Sequence, residues 1–202
     1  MLVYTKDVIF LEDGEIAEIT KNSLRTFNLK DEKIKKDVEH IDWDEQQAQK
    51  QGFDHFMLKE IFDQPTVFED AIRGRVNLED GTAHLGGLNM TEKQMQEVDR
   101  IVLISCGTAN YAAQVGKYMF ERLAKIPVEV DVASEFRYRD QIVNSKTLVF
   151  AISQSGETAD TIAALREAKR RGACVRGIVN VIGSTISRET DGGTYIHAGP
   201  EL

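Results

Sequence analysis

Thr147-Leu148-Val149-Phe150-Ala151-Ile152, running into Ser153-Gln154-Ser155-Gly156-Glu157-Thr158, is the stretch that decides the fold. An apolar run without polar alternation describes a strand covered on both faces, as in a parallel sheet flanked by helices. The turn after it is crowded with hydroxyls around one Gly. A helix is then expected from Thr158 to Arg171, closed by Gly172, a favoured residue just past a helix C-terminus.

The same grammar repeats on either side. Ile101-Val102-Leu103-Ile104-Ser105 is a second buried strand, and Ala109 to Ala124 is a long helical segment. Val128 to Val132 is a strand, Ser134 to Lys146 a polar link, and Cys174-Val175 to Val181 a closing strand. Alternating strands and helices with buried strands predict an α/β fold. The expected form is a three-layer sandwich, a mostly parallel sheet with right-handed crossovers between helical layers.

Upstream the pattern changes. Apolar residues at 57, 58, 61 and 62 predict a short helix stopped by Gln64-Pro65, and a second is expected from Val67 towards Val76. Val8 to Leu11 and Glu15 to Ile19, around Asp13-Gly14, read as a β-hairpin. Between hairpin and helices lies a polar stretch in which Gln46 to Gln51 has helical composition and Trp43 reads as a docking anchor. The expected organisation is a hairpin over 1–20, a linker over 21–53 and an α/β domain over 54–202.

Composition narrows the function classes. With 42% hydrophobic and 29% charged residues, 3 Pro and 15 Gly in 202 residues, the chain is globular and neither fibrous nor disordered. No apolar run approaches a membrane span, and the first ten residues lack the pattern of an export signal. Cys106 and Cys174 have no CxxC or metal-ligand spacing, so they point to no metal site, and a cysteine-poor chain is expected in a cytoplasmic, reducing setting. The net charge of −8 is confined to residues 1–70, with 17 Asp and Glu against 9 Lys and Arg; the remainder carries 16 of each. A nucleic-acid surface would need a basic stripe, and none is present.

In a parallel sheet of this kind, ligands bind beyond the carboxyl ends of the strands. Two turns lie there: Ser105-Cys106-Gly107-Thr108-Ala109-Asn110 and Ser153 to Thr158. Each leads into a helix N-terminus, whose free N–H groups and partial positive charge attract anions. Ser153, Ser155 and Thr158 add hydroxyl donors, and Gly156 lets the backbone approach closely. Neither turn has the pattern of a dinucleotide or nucleoside triphosphate site, so one phosphate on a small molecule fits best. The plainer alternative makes Ser155 a helix cap and Thr158 an early-turn residue. Cys106 reads better as a small residue at a tight turn than as a nucleophile, because no His–acid pair lies nearby in sequence. Arg137 and Arg139 either reach an anion or form ion pairs, and ion pairing is favoured.

Ser153-Gln154-Ser155-Gly156-Glu157-Thr158-Ala159-Asp160-Thr161 resembles the signature of sugar-isomerase (SIS) domains. The version is that of glutamine–fructose-6-phosphate amidotransferases, the glucosamine-6-phosphate synthases. Cys106-Gly107-Thr108, Ala133 to Arg139 and Ala198-Gly199-Pro200-Glu201 extend the likeness. So does Met57 to Pro65, which resembles the entry to that family's isomerase half.

The resemblance implies that Ser153, Gln154, Ser155 and Thr158 hold the phosphate of fructose-6-phosphate or glucosamine-6-phosphate, with Thr108 and the backbone of Ala109 contributing from the other turn. Ala109 stands where the family usually has Ser. The hairpin would close a glutaminase domain, and the α/β region would be the first of two SIS domains, forming a homodimer. The glutaminase nucleophile and the acid–base and Schiff-base residues of a second SIS domain are not in this sequence. The expectation is therefore a fragment that holds no catalytic residue and is inactive alone. A sugar-phosphate-sensing regulator and a lone SIS isomerase are the competing classes. Glu157, the one carboxylate in place for the latter, suits a capping role better.

Overall fold

A computed structural model describes residues 5–40 and 50–199. Trp43, most of the 46–51 stretch, Pro200 and Glu201 lie outside those residues. Two compact units divide after Lys59.

In the first unit the hairpin forms elsewhere than the sequence suggested. β1 (Asp7–Val8) pairs antiparallel with β4 (Glu39–His40), whereas β2 (Glu15–Ile19) pairs with β3 (Leu24–Asn28). Asp13-Gly14 does form a turn, closed by the Glu15 N–H donating to the Glu12 carbonyl at 3.0 Å. Only Gly14 has a positive φ there. A two-residue type I′ hairpin needs positive φ at both central residues, so the turn redirects the chain without pairing its flanks. The true hairpin closes through Thr20 and Ser23, whose backbone bond of 2.8 Å is reinforced by the Ser23 N–H donating to Thr20 Oγ1 at 3.0 Å. β3 and β4 therefore occupy part of the stretch expected as linker.

α1 (Phe56–Ile72) is one continuous helix that carries Pro65 inside it, so the expected break at Gln64-Pro65 does not occur. Val76–Asn77, expected to end a helix, form β5 and pair with β6 (Thr82–Ala83). A 3-10 turn at Gly86–Leu88 follows. Next comes α2 (Glu92–Gln96), started by a reciprocal Thr91/Gln94 capping box.

The rest is the expected α/β sandwich. Its elements are β7 (Arg100–Ser105), α3 (Thr108–Leu123), β8 (Val128–Val132), α4 (Ala133–Phe136), β9 (Thr147–Ser153), α5 (Ala159–Arg170), β10 (Cys174–Val179), α6 (Thr185–Glu189) and β11 (Gly193–Tyr195). All five strands pair in parallel in the order β11-β10-β9-β7-β8. The strand read to Val181 stops at Val179, and the polar link opens with α4, which buries Ala133 and Phe136 completely.

Burial explains the unbroken apolar strands. Val102, Ile104, Val149 and Ala151 pack with Ala164 and Leu165 of α5 on one face. Ile101, Leu103, Leu148 and Phe150 pack with Ala113 of α3 on the other, where Phe120 stacks on Phe150 at 6.1 Å. β7 and β9 each feed two cores, so the run Ile101–Ile104 and the run Leu148–Ala151 are apolar on both faces.

Candidate functional site

The strand order fixes where a ligand can sit. From β7 the chain crosses to β8 on one side, then returns to β9 on the other. The carboxyl ends of β7 and β9 thus face a switch point, where the crossovers diverge and leave a crevice. Ser105 pairs with Ile152, and Ser153 with Val179, so the turns after β7, β9 and β10 emerge side by side.

The turn after β9 is internally ordered. Ser153 Oγ accepts from the Gly156 N–H at 3.1 Å and lies 2.9 Å from Thr158 Oγ1. Ser155 Oγ accepts from the Glu157 N–H at 3.2 Å. Gly156 has φ +68° and is buried; a Cβ there would lie 2.5 Å from Ser184 Cβ and nearer still to its Oγ. Only Gly fits.

Neither long helix at the switch point is capped by a side chain. Thr158 is the N-cap of α5 and Gly107, at φ 58° and ψ −138°, that of α3; neither makes a side-chain cap bond. Leading N–H groups of both helices are thus left to a ligand or water. The capping alternative for Ser155 fails on geometry, since its hydroxyl closes a turn two residues short of the helix. Thr108 is exposed, Ala109 half-buried, and Gln154, Ser155 and Thr158 half-buried around the buried Ser153.

Three buried polar atoms among the described residues have no hydrogen-bond partner: Ser105 Oγ, Gln154 Oε1 and Ser184 Oγ. Each belongs to the end of β7 or to a neighbouring turn. Native interiors seldom leave such groups unpaired, and they gather where ligands or water complete a site.

The turn after β10 went unread in the sequence. Asn180 donates its N–H to the Gln154 carbonyl at 3.0 Å, and the Ile186 N–H donates to the Gly156 carbonyl at 3.0 Å. Glu157 Oε1 accepts from the Thr185 N–H at 2.7 Å, which gives that carboxylate a capping role on the next turn. The signal was available: Gly183-Ser184-Thr185 repeats the small-residue, hydroxyl-rich grammar of the other two turns.

The remaining flagged residues fall into place around these turns. Cys106 is half-buried with its Sγ 4.0 Å from Thr161 Oγ1, a contact that joins the β7 turn to the first turn of α5. Arg137 pairs with Asp160 at 2.8 Å and lies over the Tyr138 ring. Arg139 pairs with Glu129 and Asp131 at the β8 edge. Burial pushes the Asp131 carboxyl up, and Arg139 opposes it. Cavities of about 300 Å³ beside β11 and about 650 Å³ beside β8 are lined by none of the six predicted site residues. Among the described residues, no helix is long and apolar enough to cross a membrane, and no cluster of three His, Cys, Asp or Glu is placed to hold a metal ion.

Known proteins resemble this chain in sequence and fold. The SIS domain family matches residues 94–202. A glutamine–fructose-6-phosphate aminotransferase (isomerizing) of Chlorobaculum tepidum is 51% identical over 199 residues, which is 98% of this chain and 32% of that protein. Its counterpart in Caldanaerobacter subterraneus is 50% identical over 202 residues, 100% of this chain and 33% of that protein. The solved C-terminal domain of glucosamine-fructose-6-phosphate aminotransferase from Francisella tularensis superposes with a TM-score of 0.68 at 38% identity, over 77% of this chain and 43% of that one. The chain spans about a third of the length of these curated relatives. With its SIS match spanning residues 94–202 on a sheet of the expected connectivity, the chain belongs to the SIS domain family.

Proposed function

We propose that this chain is the sugar-phosphate-holding part of the isomerase half of an enzyme that converts fructose-6-phosphate and glutamine to glucosamine-6-phosphate and glutamate. The observation that carries the reading is the pair of uncapped long-helix N-termini at the switch point, joined by hydroxyls already ordered around Gly156. A phosphate there would take N–H groups from α5 together with the hydroxyls of Ser153, Ser155 and Thr158 and the amide of Gln154. Thr108 and the Ala109 N–H would face the sugar from α3. Charge-assisted bonds of this kind are about twice as strong as neutral ones, which suits a small dianionic handle.

Residues 1–20 and 21–53 are read as the end of a glutaminase domain and its linker, and 54–202 as the first SIS domain. Glu157 is committed to the Thr185 N–H, which supports assigning the acid–base work to residues outside this chain. The chain alone is expected to give no glucosamine-6-phosphate from glutamine and fructose-6-phosphate, and turnover would overturn that. A cytoplasmic homodimer completes the proposal. An exposed apolar stripe along α3 supports it, with Tyr111, Val115, Tyr118, Met119 and Leu123 each more than half accessible.

Calorimetry with glucosamine-6-phosphate tests the anchor. Ser155→Ala should weaken binding about tenfold, the loss of one hydrogen bond to a charged group. Equal affinity in the two proteins would sink the site.

A further inference from the structure

Asp160 sets a conflict inside the phosphate site. It is the acidic residue in the first turn of α5, a position where a carboxylate steadies the ligand-free helix by facing its positive end. The same carboxylate repels a phosphate arriving at that end. Arg137, the C-cap residue of α4, resolves the conflict from outside the helix. Its Nη1 reaches Asp160 Oδ1 at 2.8 Å, with the two side chains 32% and 42% exposed. The guanidinium is held over the Tyr138 ring, 4.8 Å from its centre, which restrains it on this carboxylate.

We propose that Arg137 is an electrostatic positioning residue of the phosphate turn: it cancels the Asp160 charge, so that the helix N-terminus presents net attraction to a dianion. The inference rests on the phosphate site proposed above. It goes beyond that site because Arg137 need not touch the ligand. Unscreened, one uncancelled carboxylate in the same helix turn as a bound dianion changes affinity by roughly five- to tenfold in a water-like medium. The effect shrinks with salt, because both groups are partly exposed.

The test is a double-mutant cycle on this chain, with inorganic phosphate and glucosamine-6-phosphate as probes and binding read by calorimetry at low ionic strength. Arg137→Met should weaken both probes by roughly five- to tenfold. Asp160→Asn should tighten them. The double variant should return to within about twofold of the parent, and the Arg137→Met deficit should shrink in ~0.5 M salt. A purely structural contact would leave the double variant as weak as Arg137→Met and unresponsive to salt, and that result overturns the proposal. So does unchanged affinity in both single variants. Ser155→Ala, run alongside, separates the two ideas. Phosphate binding that is absent, or indifferent to Ser155→Ala, refutes the site and this inference with it. Binding that needs Ser155 but ignores the 137–160 charges refutes this inference alone.

Discussion

Gly156→Ala is the sharpest perturbation the structure offers. The new Cβ would stand 2.5 Å from Ser184 Cβ, and a rotamer change cannot relieve a clash with a Cβ. The positive φ of +68° costs Ala about 1 kcal/mol before any contact is counted. Moving Ser184 away strains the turn after β10, where the Ile186 N–H bonds the Gly156 carbonyl and the Thr185 N–H bonds Glu157 Oε1. Losing those two bonds costs about 1 kcal/mol for the neutral one and about 2 kcal/mol for the charged one. The expected total is about 3–4 kcal/mol.

Urea unfolding measures that total, and Ser184→Gly supplies the control by removing the atoms that collide. In Gly156→Ala/Ser184→Gly the clash is removed and mainly the backbone term should remain, so the pair should show a coupling energy of about 2–3 kcal/mol. Glucosamine-6-phosphate affinity should fall in the single variant and recover in the double. A Gly156→Ala loss near 1 kcal/mol, with no coupling to Ser184, would refute the argument that packing between these two turns shapes the site.

Other outcomes follow from the same structure. Ala109→Ser places a hydroxyl at the second position of α3 and should tighten glucosamine-6-phosphate binding by about 1 kcal/mol in calorimetry. Leu103→Ala opens a void between α3 and the sheet, where Leu103 is 2% exposed, and should lower unfolding stability by about 2–5 kcal/mol. Arg170 and Arg171 hold the Glu167 carboxyl at about 2, below its ordinary 4.5. A depressed carboxyl stabilises the fold fully above its unfolded value, and the benefit drains away as pH falls towards 2. Glu167→Gln should therefore lower the melting temperature at pH 7 but not near pH 2, with the gap closing between about pH 4.5 and 2. Solvent around these side chains keeps the pH 7 loss to about 1 kcal/mol or less.

What the sequence made legible follows from burial. β7 and β9 are covered on both faces, so Ile101 to Ile104 and Leu148 to Ala151 must all be apolar, and such a run has few other readings. The two turns after them were legible for a related reason. A strand that ends at a crevice hands over to a helix within a few residues, and small hydroxyl residues and Gly suit that geometry. β11 was not legible: Gly193-Thr194-Tyr195 has no apolar run, and its pairing is imposed by β10. Residues 8–19 misled for want of turn type, because Asp13-Gly14 signals a turn without saying whether its flanks pair.

Pro65 is the instructive miss. Proline removes one donor and bends a helix, and ending the helix is only one outcome. Ile61, Pro65, Phe68 and Ile72 fall at spacings of four, three and four, so the apolar stripe keeps its phase straight through the proline. Two separate helices would have no reason to preserve that phase across a break. Phase continuity therefore outweighs the local breaker. Ile61 and Phe68, at 49% and 65% exposure, sit on that stripe on opposite sides of Pro65. Pro65→Ala should then raise the stability of α1 without moving either residue off the stripe.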